Sequence, residues 1–171
     1  MAWERLGERL VYDGYRRLVA RRYRLPDGTE REFEVKAEGP TAVVVALTPE
    51  RRVILVREFR PGVEEVLLEL PGGEIDPGEE PAAAAARELL EETGYAGEVV
   101  ALGSMVDCAY STRIRHVFAA RGCRRVAEPT AEDAQLGVEL VDVPAFREHL
   151  RSGRCTDVGP GYLALDRLGL L

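Results

Sequence analysis

The chain consists largely of short apolar or alternating runs separated by polar turns. Residues 41–47 and 53–59 are two apolar runs joined by Thr-Pro-Glu-Arg-Arg, and a shorter run follows at residues 66–70. Runs of this length between turn residues predict sheet strands. Residues 15–37 alternate and break at the sequence Leu-Pro-Asp-Gly-Thr of residues 25–29, where Pro and Gly suit a tight turn. This region therefore predicts an N-terminal β-hairpin.

Residues 81–93 have the strongest helical character. Pro81 suits the first helical position, five consecutive alanines favour helix, and Gly94 stands where a C-terminal glycine ends one. Later runs predict strands at residues 98–105, 114–120 and 137–143, and short helices at residues 144–152 and 161–168. The mixed order of elements predicts an α/β fold.

No glycine- or serine-rich linker divides the chain into two large domains. The length of 171 residues suits one domain with a core of its own. We therefore expect a globular domain at residues 39–171, preceded by a β-hairpin arm at residues 1–38.

Composition and charge exclude several classes of function. The net charge of -7 opposes binding to nucleic acid, and Lys36 is the only lysine, so no Gly-Lys-Ser/Thr phosphate loop exists. Cys108, Cys123 and Cys155 form no C-x-x-C pair, which argues against a disulfide framework and against a thiolate metal site. No apolar run approaches the roughly 20 residues that span a bilayer, and the first residues lack the apolar region of a signal peptide. We expect no nucleic acid or membrane partner and a cytoplasmic location.

The predicted helix at residues 81–93 carries three glutamates on one face. On a helical wheel Glu88, Glu91 and Glu92 share one sector, whereas Ala83, Ala86 and Leu90 lie opposite. Neighbouring like charges on a helix are unfavourable, so such a face favours binding of a cation, although a solvated acidic face is the simpler alternative. Carboxylate oxygens are hard ligands of the kind that Mg²⁺ prefers.

A glycine pair stands just upstream of this helix, in Leu-Pro-Gly-Gly-Glu-Ile-Asp-Pro-Gly-Glu at residues 70–79. Without side chains, Gly72 and Gly73 allow the backbone to approach a ligand or the helix closely. Backbone carbonyls at this turn could then join the ligands of a metal ion. The sequence context thus favours the metal-binding interpretation over a solvated helix face.

The fixed residues of this region have a characteristic spacing, G-x5-E-x7-R-E-U-x-E-E-x-G-U, in which U is a bulky apolar residue. They are Gly73, Glu79, Arg87, Glu88, Leu89, Glu91, Glu92 and Gly94. The pattern resembles the signature of the Nudix hydrolase superfamily, and its one departure is Tyr95, where the family usually has an aliphatic residue. The resemblance implies an α/β/α sandwich with a mixed β-sheet and hydrolysis of a diphosphate bond.

The resemblance also implies a role for each residue of the signature. Glu88, Glu91 and Glu92 would hold Mg²⁺, or Mn²⁺ as a substitute, with the Gly72 carbonyl as a further ligand. The other fixed residues would organise the site, with Arg87 orienting a glutamate, Glu79 tying the glycine turn to the helix, and Gly73 and Gly94 providing backbone geometry. Such a site suits the reaction, because pyrophosphate hydrolysis needs charge neutralisation and an activated, aligned water.

The residues before the signature are similar to those of ADP-ribose pyrophosphatases and other nucleotide-sugar hydrolases of this superfamily. In the predicted strand at residues 53–59, Arg57 and Arg60 point to opposite faces, so only one of them is expected to reach the diphosphate. A structural salt bridge with Glu58 or Glu69 is the alternative for either arginine. The ADP-ribose subgroup tends to carry a proline turn after the signature, where this chain has Tyr-Ser-Thr at residues 110–112. ADP-ribose is the expected substrate, with another nucleotide sugar as the alternative.

Two glutamates are candidates for the catalytic base. Relatives use a glutamate on a loop between the signature and the last strand, which Glu132 matches, and Glu92 is the alternative. A non-catalytic module that senses a nucleotide sugar is the competing function, although the intact metal positions oppose it. The resemblance further implies a homodimer in which the aromatic-rich arm of residues 1–38 helps to bind the substrate.

Overall fold

The structure is a computed structural model that describes residues 2–130 and 137–171. Contacts within the chain define two compact units. The first contains the N-terminal residues up to Pro40 together with Val106–Ile114, and the second contains Thr41–Met105 and Arg115–Leu171. Each unit has its own sheet.

The first unit is an antiparallel sheet of three strands, β1 (Glu4–Asp13), β2 (Arg17–Arg24) and β3 (Glu30–Lys36). The predicted hairpin corresponds to β2 and β3, and Gly28 adopts a positive φ of 85° in the turn between them. The strand β1 adds a third strand to this hairpin, and the sequence did not predict it. Two register shifts interrupt its pairing with β2, and its side chains are almost all exposed, so β1 lacks the alternation that identifies a strand.

The segment Val106–Ile114 joins this N-terminal sheet, and no local sequence pattern predicted this association. The Lys36 N–H donates to the Tyr110 carbonyl at 2.8 Å, and the Ser111 hydroxyl donates to the Glu38 carboxylate at 3.0 Å. The Tyr-Ser-Thr departure from the family pattern therefore lies in a loop that is fixed to the N-terminal unit.

The second unit is built on a mixed seven-stranded sheet. The strands β10, β5, β4, β9 and β8 follow one another across the sheet, with β4 and β9 parallel, while β6 pairs with β5 and β7 pairs with β4. They comprise β4 (Thr41–Leu47), β5 (Arg52–Arg60), β6 (Glu65–Glu69), β7 (Gly72–Glu74), β8 (Tyr95–Val106), β9 (Ile114–Arg125) and β10 (Val138–Asp142). Of these, β7 was not predicted, because a strand of three residues with two glycines has no hydrophobic pattern.

Helices cover both faces of the second sheet. Alternate residues of β4 explain this, since Ala42, Val44 and Ala46 belong to the core beneath α1 (Pro81–Thr93), whereas Val43 and Val45 belong to the opposite core. That second core includes α2 (Val143–Ser152) and α3 (Val158–Arg167). The predicted α/β fold with helices on two faces of a mixed sheet is confirmed. Across residues 2–130 and 137–171, no helix is long and apolar enough to cross a membrane.

Candidate active site

Helix α1 turns its carboxylates toward the protein and part of its apolar surface toward solvent. Ala83, Ala86 and Leu90, which lie opposite the glutamates on the wheel, are exposed. Glu92, by contrast, is only 9% exposed and belongs to the buried side of the helix with Ala85 and Leu89. Burial of a charged group is costly unless it is compensated, so this orientation indicates a functional role for the carboxylate.

The Glu92 carboxylate lies against the glycine turn. Its Oε2 accepts a hydrogen bond from the Gly72 N–H at 2.9 Å. Gly72 itself is pressed against β4, because a Cβ at this position would lie 2.3 Å from the Ala42 carbonyl oxygen and 2.9 Å from the Val43 Cα. The pairing of β7 with β4 therefore requires a glycine and sets the backbone donor that binds Glu92.

The surroundings of Glu92 disfavour its ionised form in the absence of a cation. Burial raises the pKa of Glu92 to about 8, and the nearby acidic groups Glu58 and Glu88 act in the same direction. The Gly72 N–H and the Arg60 guanidinium act in the opposite direction and do not cancel the effect. The position thus holds a buried carboxylate that a cation would stabilise.

Arg87 organises the remaining acidic residues of the signature. Its Nε and Nη2 donate to the two carboxylate oxygens of Glu79 at 3.0 Å each, and Nη2 also donates to the Glu74 carbonyl at 3.0 Å. Its Nη1 donates to Glu88 at 2.7 Å and to Glu91 at 3.2 Å. Arg87 therefore connects the glycine turn, through Glu74 and Glu79, to two of the predicted metal ligands.

Gly73 and Gly94 each occupy a position that a side chain would disturb. A Cβ on Gly73 would lie 2.5 Å from Oε1 of Glu88, so the glycine leaves room for that carboxylate. Gly94 caps α1 with φ of 73°, and a Cβ there would lie 2.2 Å from the Ala127 carbonyl oxygen. Gly73 thus allows the glycine turn to pack against Glu88 of α1, and Gly94 allows the end of α1 to pack against the backbone at Ala127.

The two arginines of β5 lie in different environments. Arg57 forms an ion pair with Glu139 on β10. Arg60 pairs with Glu58, with 2.6 Å between Nη2 and Oε2, and its Nε lies 3.5 Å from Oε1 of Glu69. Since Arg60 also acts on the pKa of Glu92, it is the arginine near the acidic site. Of the two arginines, Arg60 is therefore the one whose charge acts on the acidic site.

The donor chemistry of this site suits a hard divalent cation. Glu88, Glu91 and Glu92 offer only carboxylate oxygens, and burial raises the pKa of Glu88 as well as that of Glu92. Within the described parts of the chain, no three His, Cys, Asp or Glu side chains are grouped closely enough to hold a metal ion. Arg87 instead neutralises Glu88 and Glu91, while Glu92 is bound to the Gly72 N–H.

The remaining residues named in the sequence analysis, and the two histidines of the chain, are placed as follows. Glu132 lies outside the described residues. His116 lies in β9, and His149 in α2 donates from Nε2 to the Leu68 carbonyl oxygen at 2.8 Å. Cys123 and Cys155 are buried free thiols, whereas Cys108 is exposed.

Two acidic residues near the site, Glu58 and Glu69, were considered from the sequence only as salt-bridge partners of an arginine. Glu58 lies near Glu92, and Glu69 is fully buried at the end of β6, directly before the glycine turn. The signal was a charged residue at an otherwise apolar position, since Glu69 interrupts Val-Leu-Leu-Glu-Leu. An acidic residue in such a run indicates a buried partner.

Comparison with known proteins yields a family and several relatives. The family model described as NUDIX domain matches residues 38–151. The chain is 32% identical over 121 residues to the ADP-ribose pyrophosphatase of Bacillus subtilis (strain 168), which covers 70% of the chain and 65% of that relative. The chain thus spans less than two thirds of that relative's length.

Another relative is matched over nearly the whole chain. The chain is 32% identical over 179 residues to the CMP-5'-(N-acetyl-N-hydroxy-3-aminopropyl)phosphonate hydrolase of Streptomyces rubellomurinus, which covers 99% of the chain and 84% of that hydrolase. Among solved structures, one described as the crystal structure of ADP compounds hydrolase has a TM-score of 0.82 at 20% identity and covers 100% of this chain and 98% of its own. This last similarity concerns the fold.

Proposed function

The chain belongs to the NUDIX domain family, and we propose that it hydrolyses the pyrophosphate bond of a nucleoside diphosphate joined to a second group. ADP-ribose is the substrate best supported, with AMP and ribose 5-phosphate as products. The observation that carries the proposal is the buried Glu92 carboxylate. It accepts a hydrogen bond from the Gly72 N–H, and the charges of Glu58, Glu88 and Arg60 act on it. Residues 39–171 form the hydrolase domain in this proposal.

The acidic residues of α1 would hold Mg²⁺, with Mn²⁺ as a substitute. Glu88, Glu91 and Glu92 would supply carboxylate oxygens, and Gly72 would supply its carbonyl. When bound, the cation neutralises the diphosphate and makes a water molecule more acidic. Its charge would also offset the cost of keeping Glu88 and Glu92 buried.

Arg60 is proposed to bind the diphosphate. A guanidinium can donate two parallel hydrogen bonds to phosphate oxygens, and it stays charged at every working pH. In the structure these donors are directed to Glu58 and Glu69. We propose that Arg57 has a structural role through its ion pair with Glu139.

Two residues, Glu92 and Glu132, are proposed as alternatives for the catalytic base. Glu92 is next to the glycine turn, and a raised pKa is typical of a carboxylate that exchanges protons near neutral pH. Glu132 is the alternative, proposed from the family's use of a glutamate on a later loop. The two differ in what a glutamine substitution does to metal binding, because Glu92 is also a proposed ligand.

A product-resolved assay tests the proposed reaction. The purified chain is incubated with ADP-ribose, several nucleotide sugars, a CMP-linked diphosphate and nucleoside triphosphates, with Mg²⁺ or with a chelator. We expect AMP and ribose 5-phosphate from ADP-ribose only when the cation is present, and Arg60→Ala should raise KM more than Arg57→Ala does. Binding of a nucleotide sugar without turnover would instead support the non-catalytic sensing module.

A CMP-linked substrate is the second candidate. The relative that matches 99% of the chain is named as a hydrolase of a CMP-linked phosphonate, whereas the ADP-ribose pyrophosphatase matches 70% of it. A larger kcat/KM for the CMP-linked diphosphate than for ADP-ribose would favour this candidate. Either outcome leaves the diphosphate chemistry of the proposal intact.

We also propose that the chain is a homodimer whose arm, residues 1–38, contributes to substrate binding. Trp3 stacks on Phe33 with 5.5 Å between ring centroids, and its edge meets Tyr23, yet Trp3 is still 50% exposed. A partly exposed aromatic cluster of this kind suits a partner or a base. Light scattering of the full chain at micromolar concentration should give twice the chain mass, and a monomer that turns over substrate normally would refute the proposal.

A further inference from the structure

Glu69 is a fully buried carboxylate whose two oxygens have different partners. Its Oε2 accepts from the Thr156 N–H at 2.8 Å, the Thr156 hydroxyl at 2.9 Å and the Cys155 thiol at 3.3 Å. Its Oε1 faces the Arg60 Nε at 3.5 Å and shares the Thr156 N–H at 3.1 Å. The relative exposure of Glu69 is 0%, so these donors rather than water stabilise its charge.

The first set of partners belongs to the connector between α2 and α3, residues 153–157. This connector and α2 are tied to β6 at two further points, where Arg154 pairs with Glu65 and His149 donates to the Leu68 carbonyl oxygen. The strand β6 is therefore held along its length on the α2 side. Glu69 is the last residue of this strand, and Gly72 follows three residues later.

The second partner, Arg60, lies at the end of β5 and is also held by Glu58. Two carboxylates thus share one guanidinium, with Glu58 at 2.6 Å from Nη2 and Glu69 on the Nε side. A long arginine side chain has many conformations, and an ion pair on each side of the guanidinium restricts them before a ligand arrives. Of these two carboxylates, Glu69 is itself fixed by donors from the connector.

We propose that Glu69 is a positioning residue that holds the Arg60 guanidinium in place for the diphosphate and couples this arginine to the connector between α2 and α3. The inference rests on the proposed function, since it concerns how Arg60 meets the substrate. Glu69 acts through Arg60 and does not touch the reacting atoms. Its two oxygens have different roles. Oε2 accepts hydrogen bonds from the connector, and Oε1 faces the Arg60 Nε while sharing the Thr156 N–H.

This division makes Glu69→Gln a selective test. A glutamine can place its carbonyl oxygen where Oε2 accepts from Thr156 and Cys155, and its NH₂ group then faces Arg60. Two donors then oppose each other, so the connector stays bound while the Arg60 Nε loses its acceptor and only the ion pair with Glu58 still holds the guanidinium. We expect KM for ADP-ribose to rise about tenfold with a smaller change in kcat. In an Arg60→Gln background the same substitution should change kcat/KM less than about twofold, because the arginine through which Glu69 acts is already absent.

Thr156→Val is the matched control. It removes the hydroxyl donor to Oε2 on the connector side and leaves the Arg60 contact in place. We expect a lower Tm with KM and kcat within about twofold of wild type, because the Thr156 N–H and the Cys155 thiol still hold Oε2 in place after the hydroxyl is lost. A KM increase in Thr156→Val equal to that in Glu69→Gln would overturn the inference, as would an undiminished effect of Glu69→Gln in the Arg60→Gln background.

A measurement on the wild-type chain keeps the inference testable if Glu69→Gln does not fold. The Nε–H signal of Arg60 is assigned in a ¹⁵N spectrum by its loss in Arg60→Lys, and its mobility is measured without substrate. We expect an ordered side chain, and a freely mobile Arg60 would refute the positioning role. This readout needs no turnover, so an inactive wild-type chain with an ordered Arg60 would reject the proposed function alone.

Discussion

Replacing Glu92 with glutamine tests the central physical feature of the site, which is the burial of the Glu92 carboxylate. An ordinary glutamate has a pKa of 4.5, whereas burial raises the pKa of Glu92 to about 8. The folded chain therefore binds a proton at Glu92 more tightly than the unfolded chain does. By linkage, this contribution to stability is fully present below about pH 4.5 and is lost as the pH rises through about 8.

The size of this loss follows from the two pKa values. At about 1.4 kcal/mol per pH unit, the interval between 4.5 and about 8 corresponds to about 5 kcal/mol. Water entry and relaxation around a buried charge reduce such a penalty. We therefore expect metal-free wild type to lose about 2 to 4 kcal/mol of unfolding free energy from about pH 5 to about pH 8.5, relative to Glu92→Gln.

Denaturant unfolding in the presence of a chelator measures this difference. Glutamine retains a carbonyl oxygen for the Gly72 N–H, so packing and hydrogen bonding change little. Glu98→Gln is the control, because it removes the same charge from an exposed position of β8. We expect the control to follow wild type at every pH, and Mg²⁺ at about pH 8.5 to stabilise wild type more than Glu92→Gln. Parallel pH profiles for wild type and Glu92→Gln would show that the argument from burial is wrong.

Three further predictions concern the site and its scaffold. Glu91→Gln should stay folded but lower kcat at least about a hundredfold, because it removes charge from the proposed metal site; full activity with unchanged Mg²⁺ dependence would rule out Glu91 as a metal ligand. Glu132→Gln should lower kcat more than it raises KM if Glu132 is the base; a wild-type kcat would leave that role to Glu92. Gly72→Ala should cost about 1 to 3 kcal/mol in denaturant unfolding, because its Cβ would meet the Ala42 carbonyl oxygen at 2.3 Å, and an unchanged unfolding free energy would contradict this geometry.

The sequence alone predicted the elements whose pattern is local. The strand Thr41–Leu47 and the helix Pro81–Thr93 match their predicted bounds, because an apolar run between turns and an alanine run between Pro81 and Gly94 each specify one conformation. The spacing of the signature around Arg87 and Glu88 likewise indicated the family. These features depend on residues close together in the chain.

Tertiary structure decided everything that depends on distant residues. It placed Glu92 on the buried side of α1, gave Arg57 and Arg60 different ion-pair partners, and joined Val106–Ile114 to the N-terminal sheet. A helical wheel specifies which residues share a face but not which face meets the sheet. Glu69 shows the same limit, since it lies nine residues from Arg60 and eighty-seven from Thr156, and only the folding of β6 against the connector brings all three together.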